Sequence, residues 1–252
     1  REELQDLLAP GGARNAVDCA LWDLECKEAG QTIWERVGVT PHELTTVATI
    51  GVGEADIMAE HARRWSSYPH LKIKLSAESP VEKMRAIRSA RPDAVLVVDA
   101  NQAWSFAELQ EYLPALVELD IAMIEQPLPR GGDAELEGFD SPIPLGADES
   151  CLSLAELDSA VTRYDVINIK LDKCGGLTEA LAMVEAAQHA GKRLMVGNMT
   201  GSSLSMAPSF VVGQFCEFVD IDGPLLLRHD IDHGLTYSPE GVVSPPSSEL
   251  WG

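Results

Sequence analysis

From residue 45 onward, short runs rich in β-branched and aliphatic residues alternate with longer segments whose apolar residues recur at helical spacing. The runs at 45–51, 70–75, 94–99, 121–125, 143–148, 165–170, 193–197 and 215–220 predict eight strands. The segments at 54–66, 80–91, 105–118, 153–162, 176–190 and 202–212 predict helices, with only a short helix between 131 and 140. Such alternation is the signature of consecutive βα units and a parallel sheet. Eight strands without a long linker predict a closed α/β barrel of the TIM type. An open, doubly wound sheet is the alternative. It calls for a glycine-rich phosphate turn after the first strand, and Gly51-Val52-Gly53 is too short to be one.

Upstream of this alternation, Val17, Ala20, Leu21 and Leu24 form an apolar stripe at helical spacing, and Gly30 follows as a stop. A helix is predicted over 13–29. Beyond residue 222 the chain turns rich in Pro, Ser and Gly. The organisation read from these patterns is a lead-in at 1–44, a barrel at 45–222 and a tail at 223–252 that packs on it.

Composition narrows the class. Hydrophobic residues make up 45% and charged residues 23%, which excludes wholesale disorder. Lys and Arg number 19 against 40 Asp and Glu, a formal charge of −21. A nucleic-acid binder needs basic surface to neutralise phosphate, and an anionic membrane surface attracts basic segments, so neither partner is expected. The five cysteines are odd in number and form no CxxC, as in a reduced, cytoplasmic chain. No apolar run approaches the ~18 residues of a membrane span. A small-molecule substrate is the expected partner, with a homo-oligomer left open.

The chemistry lies at the strand ends. The second predicted strand ends with Lys72 and Lys74, the third with Asp99 and the fourth with Glu125. The fifth ends with Asp148, the sixth with Lys170 and the eighth with Asp220 and Asp222. From Lys74 to Lys170 the intervals are 25, 26, 23 and 22 residues, one βα unit each. In a closed barrel such groups converge on one mouth, where barrel active sites sit. Three clustered carboxylates repel unless a counter-charge intervenes, and their all-oxygen ligation suits Mg2+. Acids capping the helices that follow are the plainer reading of any one of them. Lys72 and Lys74 are two apart and share a face, while Lys170 lies four strands away. A lysine beside another cation has a depressed pKa and can act as a base. Two opposed lysines could take a proton from one face of a carbon acid and return one to the other. A Schiff-base lysine of an aldolase-type barrel is the rival reading, and it does not need three metal-binding carboxylates. His229 and His233 have zinc-like spacing but sit in a predicted loop.

Taken together, Lys72-Ile-Lys74, Asp99-Ala-Asn101, Glu125-Gln-Pro, Asp148-Glu-Ser and Lys170-Leu-Asp-Lys-Cys-Gly-Gly resemble the muconate-lactonising subgroup of the enolase superfamily. The likeness runs from residue 13 to about 230. Within the subgroup, Asp148-Glu-Ser-Cys151 and Asp220-Ile-Asp222-Gly-Pro are most similar to the dipeptide epimerases, the L-Ala-D/L-Glu type among them.

That resemblance implies a modified (β/α)7β barrel and an Mg2+-dependent isomerase acting on a dipeptide by 1,1-proton transfer through an enolate. It implies Asp99, Glu125 and Asp148 as metal ligands and Lys74 and Lys170 as the acid/base pair. Lys72 lies beside the metal-bound carboxylate, Asp220 and Asp222 grip the α-ammonium, and Asn198, Thr200 and Thr49 contact substrate. Lys173 competes with Lys170 for the catalytic role, and the strand-end position favours Lys170. Other reactions of the subgroup stay open: o-succinylbenzoate synthesis, muconate cycloisomerisation and N-acylamino acid racemisation. The family also carries an N-terminal α+β capping domain, which this sequence is expected to lack. A lidless barrel that turns nothing over, or only weakly, is therefore a further alternative.

Overall fold

The computed structural model describes residues 1–252. Two helices and a short third precede the sheet: α1 (Glu2–Leu7), α2 (Gly12–Ala29) and α3 (Ile33–Val37). Next come β1 (Leu44–Thr45), β2 (Ala48–Ile50), α4 (Ala55–Arg64), β3 (His70–Lys74), α5 (Pro80–Ala90), β4 (Val95–Asp99), α6 (Phe106–Glu118) and β5 (Ile121–Glu125). The second half holds β6 (Leu145–Ala147), α7 (Leu157–Ala160), β7 (Val166–Ile169), α8 (Leu171–Cys174), α9 (Leu177–His189), β8 (Arg193–Val196), α10 (Ser203–Gly213), β9 (Phe218–Val219) and β10 (Val242–Val243).

Strands β2 to β9 form one parallel sheet in sequence order. Its first and last strands meet at a seam, where the Val47 N–H donates to the Val219 carbonyl at 3.0 Å. The Ile221 N–H donates to the Thr46 hydroxyl beside it, at 3.0 Å. The eight strands are thus the predicted barrel, with helices on the outside burying one 55-residue core against the sheet.

Local sequence sets the helix ends. Thr32 with Glu35 and Ser105 with Glu108 form capping boxes that satisfy the first free N–H groups of α3 and α6. Pro80 opens α5, where its missing N–H costs nothing, and Gly30 ends α2 in the left-handed conformation at φ 62°.

Three predicted strands are shorter or divided. The run 45–51 splits into β1 and β2, and β1 pairs antiparallel with β10, Leu44 opposite Val243. The run 143–148 contracts to β6, which starts after Pro144. The run 215–220 contracts to β9, because the N–H groups of Phe215 and Cys216 bond back to Val212 and Gly213 of α10. The helix predicted at 153–162 is a 3-10 turn followed by α7, and 131–140 holds only the 3-10 turn Ala134–Leu136.

The helix predicted over 13–29 is α2. Its apolar stripe faces outward: Val17 is 42% and Leu24 49% exposed, while Arg14, Asn15, Asp18, Trp22 and Cys26 are buried. At the far end of the chain, the Trp251 indole N–H donates to the Cys19 carbonyl of α2 at 2.8 Å. All five cysteines are unpaired thiols, and no helix is long and apolar enough to cross a membrane.

Strand periodicity divides the barrel interior into two levels. Val97, Met123, Val166, Met195 and Phe218 form an apolar cluster of their own. Two residues along four of the same strands stand Asp99, Glu125, Asn168 and Asp220, the start of a charged upper level. Met123 is fully buried in the apolar level. Met123→Ala should lower unfolding free energy by ~2–5 kcal/mol in urea titration. Val95→Ala, at a 41% exposed site on β4, should stay within about 0.5 kcal/mol. Equal small losses would contradict an interior sealed by this cluster.

Candidate active site

Parallel register brings the strand ends level. Lys74 lies opposite Asp99 on the neighbouring strand, and Asp99 lies opposite Glu125 on the next. Above them opens a cavity of about 510 Å³ whose lining includes Lys72, Lys74, Asp148, Lys170, Asp220 and Asp222.

Four buried carboxylates, Asp99, Glu125, Asp148 and Asp220, each meet an ammonium group. Lys72, 2% exposed, places Nζ 2.7 Å from Glu125 Oε2, 2.9 Å from Asp220 Oδ2 and 3.2 Å from Asp99 Oδ2. Lys170 Nζ lies 2.7 Å from Asp148 Oδ2 and 3.7 Å from Glu125 Oε1. Lys74 Nζ donates to Asp99 Oδ2 at 3.2 Å and to Asn101 Oδ1 at 3.0 Å. Lys74 is the open member of the set, with 38% of its side chain exposed against 8% for Lys170.

These contacts set the protonation states. Burial pushes the Asp99 and Asp148 carboxyls up, but the adjacent ammonium groups outweigh it and hold both below the usual range. Glu125 has no exposed surface and too little compensation, and burial raises it to about 7. Burial and the Lys72 ammonium push Lys170 down, yet Glu125 and Asp148 outweigh them and it sits above its ordinary value. The carboxylates, rather than the second cation, dominate its field in this state.

The predicted substrate contacts assemble unevenly. Asp220 is occupied by Lys72 and by the Asn198 amide, which donates to Oδ1 at 2.9 Å and to the backbone carbonyl at 2.8 Å. Asp222 Oδ2 accepts the Thr49 backbone N–H at 2.8 Å, so Thr49 engages the site through its main chain. Burial, then the neighbouring Asp220, raises the Asp222 carboxyl to about 7. Thr200 lines the mouth from an exposed loop.

Four residues without a predicted role belong to the site. Lys173 Nζ lies 2.5 Å from Asp148 Oδ1, because the single turn α8 brings it back over the strand end. Asn168 donates to Glu125 Oε1 at 2.8 Å, and its place two residues before Lys170 on one strand was a readable signal. Gln126 Oε1 accepts the Asp148 N–H at 3.0 Å. Gly197 leaves room for the lysine, since a Cβ there would stand 2.6 Å from Lys170 Cε. His229 and His233 form no metal cluster, and His233 instead faces Glu249 at 3.3 Å.

The donor set suits a hard cation. It is all oxygen, buried and on adjacent strands. Asp99, Glu125 and Asp220 close on the Lys72 ammonium, and Asp148 is held by Lys170 and Lys173, so no three acidic groups form an open cation site here.

A family model described as "Enolase C-terminal domain-like" matches residues 57–248. The chain belongs to this family. It is 43% identical over 250 residues to an N-acetyl-D-glutamate racemase from Pseudoalteromonas sp, covering 99% of this chain and 79% of that protein. It is also 43% identical over 241 residues to the L-Ala-D/L-Glu epimerase of Escherichia coli K12, covering 94% and 75%. A solved enolase family member from Agrobacterium tumefaciens with homology to dipeptide epimerases, with bound sodium and L-Ala-L-Glu, superposes with a TM-score of 0.96. That match is at 47% identity and covers 100% of this chain and 77% of the other.

The Asp222 environment gives a pH signature. Its folded value near 7 lies above the ordinary 3.8, so the native state holds this proton more tightly. Between about pH 4 and 7, rising pH therefore weakens folding through this group, and the contribution is fully present only below that window. Asp222→Asn should gain urea midpoint relative to the parent at pH 8 more than at pH 5. An equal difference at both pH values would contradict the assigned environment.

Proposed function

We propose that this chain is a dipeptide epimerase, inverting the α-carbon of the C-terminal residue of an L-Ala-D/L-Glu-type dipeptide by 1,1-proton transfer. The observation that carries this reading is that Lys74 ends β3 and Lys170 directly follows β7, four strands on, with Asp99, Glu125 and Asp148 at the ends of the three strands between. A carbon acid bound at the mouth then has one amine on each side of its α-carbon.

Asp99, Glu125 and Asp148 are the residues that would hold Mg2+. When bound, it would supply positive charge to these carboxylates and polarise the substrate carboxylate. Lys170, held as an ammonium by Asp148 and Glu125 in this structure, has to release that proton before it takes the α-proton and returns to the ammonium form. Lys74, as the ammonium, delivers its own proton to the opposite face. The reverse reaction exchanges the two roles, so atoms and charge balance in both directions. Lys72, buried against Glu125, Asp99 and Asp220, stays protonated and draws the substrate carboxylate towards the strand ends. Asp222 and Asp220 face the substrate ammonium.

A second reading, racemisation of an N-acylated amino acid, is favoured by one observation. Asp220 is already satisfied by Lys72 and Asn198, and Asp222 keeps its proton near neutrality. A site of that kind also accepts an acyl N–H. The N-acetyl-D-glutamate racemase among the relatives supports the same reading.

Incubation in D2O with Mg2+ should place deuterium at the α-carbon of the glutamyl residue of L-Ala-L-Glu and form the D epimer. Lys74→Ala and Lys170→Ala should each reduce epimerisation by roughly 100- to 10,000-fold. Asp222→Ala should impair the dipeptide far more than N-acetyl-glutamate. No exchange with any dipeptide, or full activity in both lysine variants, would refute the proposal.

A further inference from the structure

The polar face of α2 grips the segment that follows Lys170. Helix α8 is a single turn hung from that residue: the N–H groups of Lys173 and Cys174 both donate to the Lys170 carbonyl at 2.9 Å. Its far end is held by Arg14, whose Nη2 donates to the Cys174 carbonyl at 2.5 Å and whose Nε donates to the Gly175 carbonyl at 3.3 Å. The same guanidinium pairs with Glu179 in the first turn of α9. One turn along α2, Asp18 Oδ2 accepts the Thr178 N–H at 2.9 Å, a carboxylate set against the N-terminus of α9. Between the two, Asn15 donates to Asp172 of α8 at 3.3 Å.

Arg14 is 3% exposed and Asp18 fully buried, more than a surface docking helix needs. The loop they hold is fitted to them. Gly175 and Gly176 have φ of 91° and 120°, open to glycine and strained for other residues. A Cβ on Gly175 would collide with the guanidinium, and one on Gly176 would stand 2.5 Å from Asp18 Oδ2.

The gripped segment carries one side of the site only. Lys170 and Lys173 both lie on it, and both contact Asp148. Lys74 lies on β3, across the barrel, and its side chain bonds only to Asp99 and Asn101. We propose that Arg14 and Asp18 are positioning residues for the Lys170 side of proton transfer, holding α8 so that Lys170 and Lys173 stay on Asp148. The inference rests on the epimerisation proposed above. A clamp on one side has an asymmetric consequence: it governs proton removal from one epimer and leaves the other to Lys74.

The test compares Asp18→Asn and Arg14→Lys with the parent chain. Lysine keeps the charge of Arg14 but cannot reach two carbonyls and Glu179 at once. Exchange of α-hydrogen is followed separately from L-Ala-L-Glu and L-Ala-D-Glu in D2O with Mg2+, and Lys170→Ala shows which epimer depends on the Lys170 side. Both clamp variants should slow exchange of that epimer on the order of 10- to 100-fold, with the other changed less than about threefold. Equal losses for both epimers, or no loss, would overturn the proposal.

A readout independent of turnover accompanies it. Acetic anhydride labelling, mapped by peptide mass spectrometry, should modify Lys170 and Lys173 faster in the variants and Lys74 at the parent rate. Unchanged labelling at Lys170 and Lys173 overturns the clamp. If the parent chain exchanges neither epimer, the epimerase reading fails and takes the catalytic consequence with it, while labelling still judges the clamp.

Discussion

A carboxylate placed in the interior of this barrel has to meet a positive charge or keep its proton. An isolated carboxylate moved into such a site costs several kcal/mol even after relaxation, and four of them stand there: Asp99, Glu125, Asp148 and Asp220. The chain answers with Lys72, Lys74, Lys170 and Lys173, each within 3.2 Å of at least one of them. Where the answer is incomplete, protonation makes up the difference. Glu125 and Asp222 both rise to about 7, through burial in both and, at Asp222, the neighbouring Asp220 as well. Under the proposed function these carboxylates are where a metal at the strand ends and an ammonium at Asp222 would bind.

The fold supplies the conditions that make those charges effective. Parallel strands with ends in register deliver one ionisable residue per βα unit to the same level. The apolar cluster of Val97, Met123, Val166, Met195 and Phe218 lies one level below, so the charges act in a medium of low polarisability. Helix α2 inverts the usual surface pattern, turning Arg14 and Asp18 inward and Val17 and Leu24 outward. The inward face can then bind the free carbonyls and N–H groups of an irregular loop, which an apolar face cannot do.

The sequence is most legible where a rule with one period governs. Period-two alternation and the spacing of βα units were enough to place Lys74, Asp99, Glu125, Asp148 and Lys170 on one mouth, and the structure brings them there. Lys173 was legible only as a loop residue, because a four-residue helix leaves no periodic trace. The inward face of α2 was not legible for a related reason. Helical spacing identifies a stripe, but the partner determines which stripe is buried, and here the partner is a loop of unpaired backbone groups. The divided first strand depended on pairing with β10, about 200 residues away, which no local pattern encodes. The protonation of Lys170 depended on how many carboxylates surround it, a quantity that only the assembled barrel fixes.

The central claim is that the carboxylates at the ends of β4, β5 and the strand after Pro144 form a seat for a divalent cation. The thermal unfolding midpoint as a function of Mg2+ concentration tests it most directly, in the parent chain and in Glu125→Gln. A cation that binds only the native state raises the midpoint steadily with the logarithm of its concentration. The account predicts that rise in the parent chain and its loss in Glu125→Gln. A midpoint indifferent to Mg2+ in the parent, or an equal rise in both, would contradict it.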